Sequence, residues 1–397
     1  MGSIMTDTPL DFIDRSEHLK ITLAITLKCN LACDYCYIQK NGSTMALSTA
    51  RKAVDFIFKF VGKSNKADIN FFGGEPLLEF DLLKEITEMI QSDPSFDRDR
   101  FAISVVSNGT IFSSEIAEFL IKNNVALCIS CDGPGAVQDR YRHFPDGRAS
   151  SAIVEENLRK ALAIFPLTPV NAVYSPDNFR SLPQVVDFLA GLGGRNIFLS
   201  PNISAAWTEK DAQMLPEIYE AIGKKYIDYY RDGRPRYISL LDGKIAVILR
   251  GGYRPLERCR MGKGEFAFGP SGSIYPCERL IGADEGGEHC LGNINDGAAI
   301  ARACKDISGS AANVECQTCS LKDYCMNWCG CTNYHSTGSY NTVSAFMCAS
   351  EKAAIGAAFN IIQHMSENGI DLSHHLSGSP LMNVISECMK EHMAQKV

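Results

Sequence analysis

The chain has 397 residues, a formal charge of −7 and 45% hydrophobic residues, which excludes disorder as its main state and leaves no basic footprint for nucleic acid. It opens without a positively charged segment leading into an apolar core, and apolar runs such as residues 353–362 fall short of a membrane span, so neither a signal peptide nor a membrane partner is expected. Sixteen cysteines in a chain of this size fit metal or catalytic thiols in a reducing, cytoplasmic setting better than a secreted disulfide scaffold.

In chain order, a short N-terminal extension (1–20) leads into alternating β-rich and helical runs. Strands are predicted at 20–26, 68–72, 102–106, 126–130, 169–174 and 196–200. Helices are predicted at 48–63, 82–91, 114–123, 154–164 and 182–192, from apolar residues recurring at i, i+3 and i+4. Repeats of this kind build a parallel sheet with crossover helices. Six of them make an α/β, partial (β/α)6 TIM-like barrel over 21–235, which puts its chemistry in the loops after the strands. A further helix is predicted over 216–231. The next region, 236–350, changes character: from 254 to 350 it is rich in Gly, Cys and turn residues. Its only strands are brief ones at 265–269 and 273–275, too little apolar pattern to cohere by core burial alone, so metal ligation is the economical explanation. A C-terminal helix over 351–365 and a tail to 397 close the chain.

The first cysteine group, Cys29-x3-Cys33-x2-Cys36, falls in the loop after the first strand. Three thiolates so close together wrap a soft metal centre. A four-iron cluster held by three cysteines keeps one iron open to a ligand, whereas a structural zinc site would want a fourth donor nearby, and none lies within reach in sequence. Gly73-Gly74-Glu75-Pro76 follows the second strand, where glycine backbone can approach a ligand closely. Tyr35 directly precedes the third cysteine.

These residues, with the strand–helix alternation, resemble the radical S-adenosylmethionine (radical SAM) superfamily. The resemblance implies a [4Fe-4S] cluster on Cys29, Cys33 and Cys36 that binds S-adenosylmethionine and cleaves it reductively to a 5′-deoxyadenosyl radical, which abstracts a substrate hydrogen. It implies cofactor contacts from Gly73, Gly74, Glu75 and Pro76. Ser107 and Asn108 after the third strand, Ser130 and Asp132 after the fourth, and Arg142 or Arg148 resemble the remaining contacts. On the residues alone, Ser130 and Asp132 read equally as turn formers and either arginine as a surface charge.

The second cysteine group runs Cys259-x12-Gly272-x4-Cys277, then Cys316-x2-Cys319-x5-Cys325-x3-Cys329, then Cys348. Taken alone, Cys316-x2-Cys319 is a metal knuckle and the whole could be a zinc-ribbon binding module. The spacing resembles the SPASM extension of radical SAM enzymes that modify peptides and proteins. That implies two auxiliary [4Fe-4S] clusters, three clusters in all, with Cys316, Cys319, Cys325 and Cys348 on the distal one and Cys259, Cys277 and Cys329 on the proximal one. Some members supply a fourth proximal ligand a few residues after the first cysteine. Here 260–272 contains no cysteine, so Cys290 or Cys331 fills the position or the iron is open to substrate. Cys128, Cys131, Cys304 and Cys388 are expected to be packing thiols.

The resemblance also frames the reaction. In anaerobic sulfatase-maturating enzymes an Asp follows the cysteine equivalent to Cys277 and acts as base in forming formylglycine. Here the residue is Glu278, a candidate catalytic base displaced by one methylene. The surrounding run looks more like maturases of ribosomally made peptides (RiPPs). Peptide or protein modification is therefore expected, as a cross-link, thioether, epimerisation or oxidation, with an electron donor such as flavodoxin or ferredoxin. Only about 20 residues precede the first strand, fewer than a leader-binding domain needs, so a precursor's leader would bind elsewhere or on a separate leader-binding protein.

Overall fold

The computed structural model describes residues 18–62, 65–254, 257–296, 314–326 and 329–376. Most of the expected N-terminal extension, the end of the tail, Cys304 and Cys388 lie outside the described residues.

The elements run β1 (His18–Thr26), α1 (Leu47–Val61), β2 (Lys66–Gly73), α2 (Phe80–Ser92), β3 (Phe101–Ser107), α3 (Ser114–Asn123) and β4 (Val125–Ser130). They continue with α4 (Gly135–Tyr141), α5 (Ser151–Ile164), β5 (Pro169–Tyr174), α6 (Leu182–Gly191), β6 (Asn196–Pro201), α7 (Glu209–Arg231), β7 (Tyr237–Ile238) and α8 (Ser239–Leu249). After these come β8 (Glu265–Phe268), β9 (Ser273–Tyr275), β10 (Gly292–Asn293), α9 (Val314–Gln317), α10 (Gly330–Thr337) and α11 (Ala345–Glu367). The expected strands and crossover helices form within three residues of their expected bounds. The helix expected at 216 instead starts at Glu209. A reciprocal capping box between Thr208 and Asp211 fixes its first turn, and Pro216 is carried inside it.

The described residues fall into two compact units. The first comprises 18–30, 36–62, 65–106 and 260–296, with strand order β10-β9-β8-β1-β2-β3. β1 is buried over nearly its whole length because parallel neighbours flank it on both sides, β2 and β8. β2 and β3 instead alternate buried and half-buried positions. Asp68, Asn70 and Ser104 share the half-buried face, and Ser104 donates to Asn70 at 3.1 Å. On α1, Phe56 and Phe60 meet Phe268 and Phe266 of β8 edge-on, with ring centroids 5.7 and 5.3 Å apart. The expectation that the region after 254 lacks a core is thus corrected for 260–296. Phe266, Phe268, Ile274 and Tyr275 are fully buried, in a hairpin that extends the main sheet.

The second unit contains 31–35, 107–254, 257–259, 314–326 and 329–376, with strand order β4-β5-β6-β7. β7 is an unexpected parallel strand beside β6. α11 packs along α7 and α8. Phe346 stacks on Trp207 at 3.8 Å, and the buried Tyr219 hydroxyl sits 2.7 Å from that of Tyr174 and 2.9 Å from that of Ser350. α11 has the length and mean hydropathy of a membrane span, so the apolar run is longer than the sequence reading allowed. Burial of Ala353, Ala354, Ala357, Ala358 and Ile361 against its neighbours is the pattern of a core helix.

Candidate functional site

In the first unit, the loop after β2 is locked to the end of β1. Gly74 N donates to Thr26 O and Glu75 N to Lys28 O, both at 2.8 Å. Gly73 has φ +134°, and a Cβ there would stand 2.1 Å from Thr26 O; at Gly74 it would stand 2.0 Å from Lys28 O. No side chain fits at either position, which is why the sequence carries two glycines. The fully buried Glu75 accepts from Leu77 N at 3.0 Å through Oε1, starting the one-turn helix that Pro76 opens. The backbone here is aimed by its own hydrogen bonds.

In the second unit, Asp132 organises the segment that carries Cys33. Its Oδ1 accepts from Arg142 Nε at 3.0 Å and from Val173 N at 2.9 Å, and its other oxygen accepts from the Tyr35 hydroxyl. Arg142 also lies over the Tyr35 ring, 5.3 Å from the centroid. The Arg142 and Asp132 side chains are 9% and 0% exposed, so neither reads as a turn residue or surface charge. Burial, then the charge of Asp132, pushes the Tyr35 phenol well above its ordinary range, so it stays protonated and donates. Arg142 remains a cation beside Asp132, Tyr35 and Cys33. The same segment is tied down by Ala32 N to His143 O at 2.7 Å and Asp34 N to Tyr141 O at 3.1 Å. His143, Tyr141 and Gln138, whose Oε1 accepts from Asp132 N at 2.8 Å, were not singled out from the sequence.

Other residues separate. Arg148 is exposed and pairs with Asp146 at 2.6 Å, unlike Arg142. Asn108 Oδ1 is taken up locally by Thr110, at 2.9 Å from its N and 2.6 Å from its Oγ1, and Ser107 Oγ accepts from Gly109 N at 3.1 Å. Ser130 is buried at the end of β4. Burial pushes the Cys128 and Cys131 thiols up to about 12, as packing thiols require.

None of the described cysteines forms a disulfide. In the second unit, burial and the neighbouring Cys348 and Cys319 push the Cys316 thiol up, so these three crowd one another. Cys325 follows a short 3-10 turn, and its carbonyl accepts from Arg258 at 3.2 Å. Cys329 lies 3.5 Å from Cys331. Cys259 is half-buried in the same unit. In the first unit, Cys277 lies 3.7 Å from Glu265 Oε1 and 3.5 Å from Glu278 Oε2, while Lys20 Nζ is 2.9 Å from Glu265 and 3.8 Å from Glu278. Burial alone would raise the Glu278 carboxyl; Lys20 and Arg279 outweigh it and hold it below the usual carboxylate range, ionised at neutral pH. Cys290 donates to Gly292 O at 3.1 Å and packs, with Cys36 and Tyr37, against Leu27, Ala267 and Tyr275.

Residues 23–189 match the model of the Radical SAM superfamily. The match marks a radical SAM domain within the chain. A protein from Methanocaldococcus jannaschii, described as uncharacterized, is 29% identical over 72% of this chain and 91% of its own length. The radical SAM cyclopropyl synthase TigE of Paramaledivibacter caminithermalis is 25% identical over 80% and 69%. A cysteine-type anaerobic sulfatase-maturating enzyme of Clostridium novyi is 24% identical over 76% and 84%. Among solved structures, anSMEcpe with bound AdoMet and the Cp18Cys peptide superposes with a TM-score of 0.70 at 19% identity, covering 88% of this chain and 99% of that one. The fold is therefore the α/β parallel-sheet partial barrel, and the chain is a radical SAM enzyme related to maturases. Radical SAM proteins bind a [4Fe-4S] cluster and SAM. Cys29, Cys33 and Cys36 are half-buried and outside any disulfide.

Proposed function

We propose that this radical SAM enzyme is a peptide maturase. The observation that carries the reading is its likeness, over nearly the whole of both chains, to a fold solved with AdoMet and a peptide together. On this reading Cys29, Cys33 and Cys36 hold the SAM-binding [4Fe-4S] cluster. Gly73, Gly74, Glu75, Pro76, Tyr35, Ser107, Asn108, Ser130, Asp132 and Arg142 line the cofactor site. When bound, cluster and SAM supply a 5′-deoxyadenosyl radical that removes a hydrogen atom from the substrate.

The chain's own part is placement. Gly73 and Gly74 bring backbone within reach of the cofactor. Arg142, held by Asp132, offsets thiolate charge near Cys33, and burial keeps water away. Cys316, Cys319, Cys325 and Cys348 would hold a distal auxiliary cluster, and Cys259, Cys277 and Cys329 a proximal one, in a SPASM region spanning 236–350 behind a barrel over 21–235. The enzyme is proposed to work in the cytoplasm with a flavodoxin- or ferredoxin-type donor.

A second reading, an anaerobic sulfatase-maturating enzyme, is favoured by Glu278. Its carboxylate is ionised and beside Cys277, so it can accept a proton. A low carboxyl pKa makes it a weak base, and the longer side chain displaces it.

The test is anaerobic reconstitution of the full chain with SAM, a strong reductant and candidate precursor peptides, followed by mass spectrometry. The reading predicts peptide-dependent release of 5′-deoxyadenosine and a chemically altered peptide, both abolished in Cys33→Ala. Conversion of a sulfatase peptide to formylglycine, with no precursor peptide altered, would favour the second reading. Turnover stimulated only by small molecules would overturn both.

A further inference from the structure

We infer that the buried ion pair of Lys244 and Glu351 is a positioning device for the distal auxiliary cluster: it ties the backbone around Cys325 to the turn of α11 that carries Cys348, and it sets the charge beside the cluster. The inference rests on the proposal that Cys316, Cys319, Cys325 and Cys348 hold one cluster, and every residue it uses lies in the second unit. The pair grips the two peptide groups that flank Cys325. Lys244 Nζ donates to Tyr324 O, just before Cys325, at 3.2 Å. Met326 N, just after it, donates to Glu351 Oε2 at 2.5 Å. The same Oε2 accepts from Lys244 Nζ at 2.5 Å, which closes the clamp. Glu351 follows Cys348 by three residues in α11, so the two share a helix face. The carbonyl of Cys325 itself accepts from Arg258 Nη1 at 3.2 Å. Tyr253 joins both cations: its ring centroid is 5.2 Å from Lys244 Nζ and 5.3 Å from the Arg258 guanidinium carbon, and its hydroxyl accepts from Lys244 at 3.3 Å.

Stability alone does not account for this pair. The Lys244 and Glu351 side chains are 7% and 17% exposed, and well-packed apolar residues in their place would serve the fold as well. Apolar residues would supply neither a donor for Tyr324 O nor an acceptor for Met326 N, and they would bring no charge. Burial disfavours the Lys244 ammonium, but Glu351 and then Tyr253 outweigh it and hold the group above its ordinary range, with Cys325 acting in the same direction. Cys325 acts on Tyr253 and Arg258 as well, so its thiol lies within electrostatic reach of the whole network. Reduction adds negative charge to an iron–sulfur cluster, so a nearby cation favours the reduced form and a nearby anion disfavours it. The pair holds these two influences in balance, and removing either member unmasks the other.

The test is iron analysis and an EPR-monitored redox titration of the anaerobically reconstituted full chain at neutral pH. It compares wild type with Cys325→Ala, Lys244→Met, Glu351→Gln and the Lys244→Met, Glu351→Gln double variant. The signal that Cys325→Ala removes identifies the distal cluster. The inference predicts that its midpoint potential moves to more negative values in Lys244→Met, to more positive values in Glu351→Gln, and back towards wild type in the double variant. The double variant has balanced charge but no donor for Tyr324 O, and it should lose this cluster's iron to a chelator about tenfold faster than wild type. Unchanged potentials in both single variants, or shifts of the same sign, would overturn the inference and leave the pair a packing role alone. So would wild-type iron retention in the double variant. If Cys325→Ala itself keeps the wild-type iron content and EPR signals, the four-cysteine cluster reading fails first, a distinct result.

Discussion

The glycine loop after β2 and the described part of the later cysteine-rich stretch, 314–326 and 329–348, are held in different ways. At Gly73–Pro76 the backbone is fixed by its own bonds to Thr26 and Lys28, and no cysteine takes part. In the later stretch Cys316 feels the neighbouring Cys348 and Cys319; Cys316 and Cys325 sit at one-turn helices, Cys329 and Cys331 at a two-turn helix, and Cys348 in the first turn of the long α11. The first region is organised by its own backbone bonds, and the second, on the proposed reading, depends on a metal cluster.

The largest expected effect breaks that comparison directly. Removing iron with a chelator should make residues 314–348 sensitive to limited proteolysis while the strands and helices from 18 to 249 stay protected, read by mass spectrometry of the fragments. Equal sensitivity in both regions would contradict the contrast. Next in size is Asp132→Ala, which strands the buried Arg142 cation and the donors on Tyr35 and Val173. It should cost about 3–5 kcal/mol in thermal or denaturant unfolding, and Arg142→Met combined with it should recover part of the loss. Gly74→Ala forces a Cβ to 2.0 Å from Lys28 O. It should cost on the order of 2 kcal/mol and weaken SAM binding more than it lowers the melting temperature. Smallest is a difference in thiol reactivity: with Cys128 and Cys131 pushed up to about 12, both stay protonated at pH 8. Iodoacetamide should therefore leave Cys128 and Cys131 unmodified until the chain is unfolded, read by mass spectrometry of the labelled peptides.

The two regions also differ in how much their sequence reveals. The barrel strands are legible because alternation in β2 and β3 and continuous burial in β1 are local patterns, and the glycine pair marks a place where side chains cannot fit. β8 was expected as a brief strand at 265–269, but its place beside β1 was not legible. Its four residues, Glu265–Phe268, acquire their meaning only by pairing with β1, 245 residues away at the Lys20–Glu265 contact. The Asp132 network was visible only as separate candidates. Tyr35 and Asp132 lie 97 residues apart, and nothing local distinguishes Arg142 from Arg148. The helix start at Thr208 was within reach, since Thr followed three residues later by Asp is a capping signal. Cysteine spacing pointed to metal, while the carboxylate beside Cys277 emerged only when the hairpin brought strand neighbours together.

The most direct test of the account is the iron content of anaerobically purified protein, with Mössbauer spectroscopy to identify the clusters. Roughly twelve irons per chain, all in [4Fe-4S] form, is the predicted result. About four or fewer, confined to the cluster lost in Cys33→Ala, would contradict the two auxiliary clusters.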